Sequence, residues 1–268
     1  MTGSLPDAVH CGRLIEVAPD SARISFPSAG RILIRADSIT RVPDGECAEA
    51  DLAMLEDPAL ALQWLLRGVP SLRASAVVRD GVGLVLAGEG MTGKSAIAAS
   101  LASTGWEVLA DSVTPIRRNG VGNDTDAFEI VPTTDLLHLW PVSMPSLGLD
   151  PRDAVALRPG IGKLAVKLER ASDASVALST IVVLRHSRSH TAATQTLSGV
   201  DAIGAVDHLM WHAAAAKTLL GPAALFMWAT AIGRSATIVA IDIDDGFDPS
   251  GVARIIDDMR GETPGGPS

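Results

Sequence analysis

The sequence predicts an α/β fold, and three consecutive features carry that expectation. Strand-like apolar runs at Ser75–Val78 and Val82–Ala87 flank an Asp80-Gly81 turn. A glycine-rich loop, Gly88–Gly93, follows directly and opens a helix-patterned segment from Lys94 to Ser103. Gly105 stops that helix, and Trp106–Ala110 reads as another strand, ending at Asp111. Strand, glycine loop, helix and strand in this order form the layout of a nucleotide-binding α/β unit.

The other elements fall on either side of this core. Residues 1–70 read as a small N-terminal mixed β/α unit, with short β-type runs at Arg13–Val17, Ala22–Phe26 and Arg31–Ile34. Asp51–Arg67 spaces its leucines as a helix does and is expected to break at Pro58. Residues 71–260 form the core. Beyond Asp111, strands are expected at Ile130–Pro132, Leu164–Leu168, Thr180–Leu184 and Thr237–Ile243. Helices are expected at Asp201–Thr218, Pro222–Ile232 and Ser250–Met259, and the Gly/Pro-rich tail from Gly261 to Ser268 as disorder.

Composition bounds the function. Of 268 residues 47% are apolar, and with five Trp, four Phe and no Tyr the core is built from Ala, Val, Leu and Ile. A net charge of −9 speaks against a protein whose main job is gripping nucleic acid, which needs clustered Lys and Arg. Two cysteines without CxxC spacing, Cys11 and Cys47, suggest neither a disulfide framework nor a zinc site, and fit a reducing compartment. The start, MTGSLPDAVHCGR, has no basic region followed by an apolar run, so a cytoplasmic location is expected. The apolar stretch Thr218–Ile232 is short of the about 20 residues that a spanning helix needs and reads as a buried core helix.

Gly88-Glu89-Gly90-Met91-Thr92-Gly93-Lys94-Ser95 fits G-x-x-x-x-G-K-[ST] at every fixed position. A chance match in a chain of this length has a probability on the order of 1%. Glycines let the backbone wrap phosphates with its N–H groups turned inward, and the following helix adds its unsatisfied donors and dipole. Lys94 would reach the β- and γ-phosphates, and the Ser95 hydroxyl would ligate magnesium. ATP and Mg²⁺ are the expected ligands. Asp111, at the carboxyl end of the neighbouring strand, stands where open α/β sheets bind ligands; a turn or helix-capping aspartate is the other reading.

Leu72–Gly81, the glycine loop and Gly105–Val113 together resemble the kinase core of HPr kinase/phosphorylase. The chain is more similar to shorter relatives of that enzyme in peptide-modifying gene clusters, lasso peptide kinases among them. Leu137-His-Leu-Trp-Pro141, Leu147-Gly-Leu-Asp150 and Arg158-Pro-Gly-Ile-Gly-Lys163 extend the resemblance over roughly residues 50–190. It implies the fold shared by HPr kinase and phosphoenolpyruvate carboxykinase, and ATP-dependent phosphorylation of a serine-type hydroxyl on a peptide or small molecule. It implies phosphate and magnesium binding by Lys94 and Ser95, metal binding and general-base work by Asp111, and charge neutralisation by Lys163. A dimer or hexamer would suit it.

Two departures stand out. The relatives carry paired aspartates where this chain has Asp111-Ser112, and commonly a histidine where it has Arg73, which can clamp a phosphate but cannot exchange protons near neutral pH. Two further readings therefore stay open: a nucleotide-binding scaffold without turnover, and a P-loop hydrolase.

Other constellations carry less. His208 and His212 would share one helix face, without the glutamate of a zinc protease motif. Arg185–His190 reads as a solvated loop, Asn123–Asp126 as an exposed turn, and Asp242, Asp244 and Asp245 as a strand end.

Overall fold

The computed structural model describes residues 5–26, 30–44, 52, 54–119, 127–156, 162–168, 173–187, 193–244 and 246–261. The expected tail from 262 onward and the Asn123–Asp126 turn lie outside them.

The chain begins with an antiparallel meander: β1 (His10–Cys11), β2 (Ile15–Val17), β3 (Ser21–Phe26), β4 (Gly30–Arg35) and β5 (Ile39–Pro43), each pairing with the next. Alternation along β3 and β4 buries Ala22, Ile24, Ile32 and Ile34 on one face. That face packs on helix α1 (Glu56–Leu66) through Leu62 and Leu65, and on Met210, Ala215 and Leu225 from far along the chain. Helix α1 is not broken at Pro58. The helix starts at Glu56, so Pro58 lies in the first turn, where a backbone N–H has no intrahelical partner to lose.

β6 (Ser71–Arg79) and β7 (Val82–Gly88) form a hairpin whose two turn residues, Asp80 and Gly81, have φ of 53° and 74°. Positive φ at both positions gives the turn whose twist matches the strands. Helix α2 (Lys94–Ala102), β8 (Glu107–Ala110), β9 (Val113–Asn119) and β10 (Ala127–Ile130) follow. A small sheet comes next, from β11 (Leu136–Leu139), β12 (Val155–Ala156) and β13 (Leu164–Lys167). Then come β14 (Val176–His186), β15 (Thr194–Leu197), α3 (Gly199–His208), α4 (Ala213–Leu220), α5 (Pro222–Ser235), β16 (Thr237–Ile243) and α6 (Pro249–Gly261).

The main sheet runs β10-β9-β6-β7-β14-β16-β15, with β8 paired to β6. Its centre, β7-β14-β16, is parallel, and the rest is antiparallel. Strict alternation splits the central strands between two cores. Leu86, Val182 and Ile241 face α2 and α6; Val85, Ile181 and Ala240 face α3 and α5. Both faces are thus covered, which is why these strands read as continuous apolar runs. The carboxyl ends of β7, β14 and β16 lie side by side, placing Gly88 and the residues after Ile243 at one edge. The chain is therefore a mixed α/β fold.

The helix expected over Asp201–Thr218 is two helices. Between them Leu72 and Met210 form an antiparallel bridge, and Arg73 N–H and Trp211 N–H donate to Leu209 O and Ser71 O. These sheet-like bonds, with φ of 51° at His212, outcompete helix continuation. His208 and His212 consequently do not share a helix face. Arg185 and His186 belong to β14, not to a loop, and Arg185 Nε donates to Asp242 at 2.9 Å.

Among the described residues no single helix is long and apolar enough to cross a membrane. The stretch expected as one buried helix bends by 111° between α4 and α5, and Phe226 and Met227 on α5 are 58% and 60% exposed. Gly221 and Pro222 make that bend, since the helix ends at glycine and proline opens the next one.

The clamp of α1 on the meander is testable by truncation. Leu62→Ala removes a fully buried side chain and is expected to cost about 2–5 kcal/mol in urea unfolding. Leu33→Ala, on the exposed face of β4, is expected to stay within about 0.5 kcal/mol.

Candidate active site

A cleft of about 690 Å³ opens at the carboxyl edge of the parallel strands. It is lined by the glycine loop, by Asp111 and Ser112, and by His138, Trp140 and Lys163. Arg73, Trp211 and Asp57 also line it.

The loop's shape is set by close approach. A Cβ on Gly88 would lie 2.7 Å from Thr92 Oγ1 and 2.9 Å from Leu184 O, and one on Gly93 would enter the Phe247 ring. Gly90, by contrast, has nothing within 4 Å of where a Cβ would stand. Met91 and Gly93 take φ of 68° and 73°, turning the chain sharply into α2. That helix has no side-chain cap at its N-terminus and no acidic residue in its first turn. Its leading N–H groups and positive dipole end are left for an anion.

Lys94 folds back on its own loop. Its Nζ donates to Gly88 O at 3.0 Å and Glu89 O at 2.7 Å, and lies 3.3 Å from Thr92 Oγ1. Burial is the main cause that lowers its pKa from 10.5 to about 8; Lys163 and Arg73 add to this, while Asp111 and Glu89 oppose it.

Asp111 is 4% exposed and both of its carboxylate oxygens accept hydrogen bonds. Oδ1 accepts from Ser75 Oγ at 2.6 Å and from Ser95 Oγ at 2.9 Å. Oδ2 lies 3.1 Å from Ser95 Oγ and accepts from the His138 N–H at 2.9 Å. Ser112, next in the chain, has φ of 64°, and its carbonyl accepts from Trp211 Nε1 at 2.9 Å. Left-handed backbone at a serine is strained, and here the turn re-aims the chain between β8 and β9.

The structure thus gathers Gly88, Gly90, Met91, Gly93, Lys94, Ser95, Asp111, Arg73 and Lys163 around one cleft. Thr92 and the Glu89 side chain turn away from it; they line a second cavity, where Glu89 pairs with His208 at 2.7 Å. Arg73 stacks its guanidinium 5.0 Å from the Trp211 ring, and its buried Nε has no partner among the described residues. Lys163 Nζ lies 5.7 Å from the Trp140 ring centre; residues 157–161 before it lie outside the described chain.

Sequence reasoning missed Ser75, His138, Trp211, Phe247 and Asp57. A hydroxyl inside the apolar run Ala74–Val78 was a signal for Ser75. Asp57 gave none beyond being acidic at a helix start, because its neighbours in the cleft are remote in sequence. Burial raises its pKa; His138, the Ser112 hydroxyl and Lys163 pull it down, and Asp111 adds to the rise.

No protein-family model and no curated protein sequence matches the chain. Among solved structures it is similar to the Hpr(Ser) kinase/phosphatase from Coxiella burnetii, at 12% identity and a TM-score of 0.38. The aligned part covers 73% of this chain and 99% of that one. A likeness this distant carries no functional weight, and the function is read from the cleft's own residues.

The lysine pKa has a pH signature. Between about pH 8 and 10.5 the folded chain holds fewer protons at Lys94 than the unfolded one, so stability rises with pH in that window. Wild type is expected to gain stability relative to Lys94→Met as pH goes from 8 to 10, measured by urea unfolding. A constant difference between the two proteins across that range contradicts the buried, charged lysine.

Proposed function

We propose that this chain is an ATP- and Mg²⁺-dependent phosphotransferase that moves a γ-phosphoryl group onto a hydroxyl of a peptide or small molecule. One observation carries the reading: Ser95, in the first turn of α2, faces the Asp111 carboxylate at 2.9 and 3.1 Å beside a half-buried lysine on a glycine loop. Strand, loop and helix thereby present backbone donors, a cation and hard oxygen donors to one small volume. The sequence resemblance to the P-loop kinase core of HPr kinase, and to its relatives that modify peptides, supports the same reading.

The donor set fits magnesium. Among the described residues no group of three or more His, Cys, Asp or Glu comes together. Mg²⁺ needs none: it takes one or two protein oxygens and completes its shell with water and phosphate. Ser95 and Asp111 would hold it, and when bound it would offset negative charge on the phosphate oxygens.

The chain's own residues do the rest. Lys94 leaves the loop carbonyls for the phosphates, whose charge stabilises its ammonium form. Gly90–Ser95 orient the phosphates with backbone N–H groups. Lys163 and Arg73 line the same cleft and would neutralise charge on the transferring group. The acceptor oxygen bonds to the γ-phosphorus, the bond to the β-phosphate oxygen breaks, and ADP departs. The acceptor's proton passes to a carboxylate, and Asp111 is the one that the motif's context suggests. Such catalysis is mostly positioning and charge neutralisation.

A second reading rests on Ser112: with serine where the relatives place a second aspartate, the chain would bind nucleotide without turning it over. Incubation with labelled ATP, Mg²⁺ and serine-containing peptides separates the alternatives. Label on a peptide is expected. Phosphate release alone points to a hydrolase, and tight binding with neither points to a scaffold. Lys94→Ala is expected to weaken Mg·ATP binding by about tenfold or more, as loss of a charge-assisted contact does.

A further inference from the structure

Asp111 is poorly placed to receive a proton. A carboxylate offers about four acceptor sites, and on Asp111 three donors, Ser75, the His138 N–H and Ser95 shared between the two oxygens, take three of them. An acceptor hydroxyl has at most one left, on a side chain that is 4% exposed. With Ser95 among those donors, Asp111 belongs to the phosphate and metal side of the cleft.

Asp57 differs on each count. It lines the same cleft from the first turn of α1, an element of the N-terminal unit, with Ser112 nearby. Unlike Asp111, its carboxylate is not tied by Ser75, Ser95 and the His138 N–H. It is half-buried, so lone pairs remain for a hydroxyl arriving in the cleft. Arg73 and Trp211 line the cleft with it.

Resting on the phosphotransferase reading, we infer that Asp57 is the general base of the reaction, and that Asp111 positions Ser95 and serves the metal. The acceptor O–H bond breaks as the oxygen bonds to the γ-phosphorus, the proton moves to the Asp57 carboxylate, and the electron pair of the cleaved bond leaves with ADP. The groups facing Asp57 are His138, Lys163 and Asp111. The two basic ones hold its charge, while burial makes it a better proton acceptor than a surface aspartate. Ser112 then has a defined role, because its neutral hydroxyl favours the charged base where a second aspartate at that position would repel it.

The test pairs a binding readout with a rate. Mg·AMP-PNP affinity is measured by calorimetry in wild type, Asp57→Asn and Asp111→Asn, and phosphoryl transfer from labelled ATP to serine-containing peptides and to water is followed in single turnover. Asp57→Asn is expected to keep its affinity within about threefold while transfer falls about 10²–10⁴-fold, the range of general-base catalysis. Asp111→Asn is expected to lose at least about tenfold in Mg·AMP-PNP affinity. The acid limb of the transfer rate against pH is expected to vanish in Asp57→Asn, and Asp57→Glu to restore part of the rate. Transfer at the wild-type rate in Asp57→Asn overturns the assignment. So does a loss of affinity matching that of Asp111→Asn, which makes Asp57 a phosphate-side group. If wild type binds Mg·AMP-PNP but transfers to no peptide, with or without phosphate release, the phosphotransferase reading itself fails and takes the assignment with it. A defect confined to the Asp57 prediction leaves that reading standing.

Discussion

The carboxylate of Asp111 is the point on which the site's geometry depends. Three elements that are far apart in sequence meet there: β6 through Ser75, α2 through Ser95 and β11 through the His138 N–H. A buried carboxylate without such donors is costly, and each donor in turn is held by it. The hydroxyl of Ser95 is therefore fixed relative to the loop before any ligand arrives. Preorganisation of this kind is what a site for phosphoryl chemistry requires, because there is little covalent work for the protein to do.

The same logic explains the posture of Lys94. A half-buried ammonium without an anion needs acceptors, and the loop's carbonyls supply them. The arrangement keeps the cation at hand, and on the proposed reading phosphate oxygens would replace the carbonyls as partners. The lowered pKa records how incomplete the carbonyl solution is.

Much of the central fold was legible because it is local. The β6–β7 hairpin announces itself in Asp80-Gly81 between apolar runs, and the glycine loop with Lys94 and Ser95 is contiguous. What escaped is relational. Nothing in Asp201–Thr218 shows that Met210 will pair with Leu72 and cut one helix into two. Pro58 reads as a breaker until the helix start is known to be Glu56. Asp57 sits in a leucine-spaced segment whose visible purpose is to cover a sheet, and its place in the cleft follows from how α1 docks. β9 and the edge strand β15 carry polar residues that mask their pairing.

The central claim is that residues 88–95 and Asp111 cradle a triphosphate with its metal. A crystal structure of the protein grown with Mg²⁺ and AMP-PNP tests it most directly. The account predicts phosphate density over the backbone N–H groups of Gly90–Ser95, the Lys94 ammonium swung from the Gly88 and Glu89 carbonyls onto phosphate oxygens, and a metal between Ser95 and Asp111. Nucleotide bound elsewhere, with Lys94 still on its own loop, contradicts it.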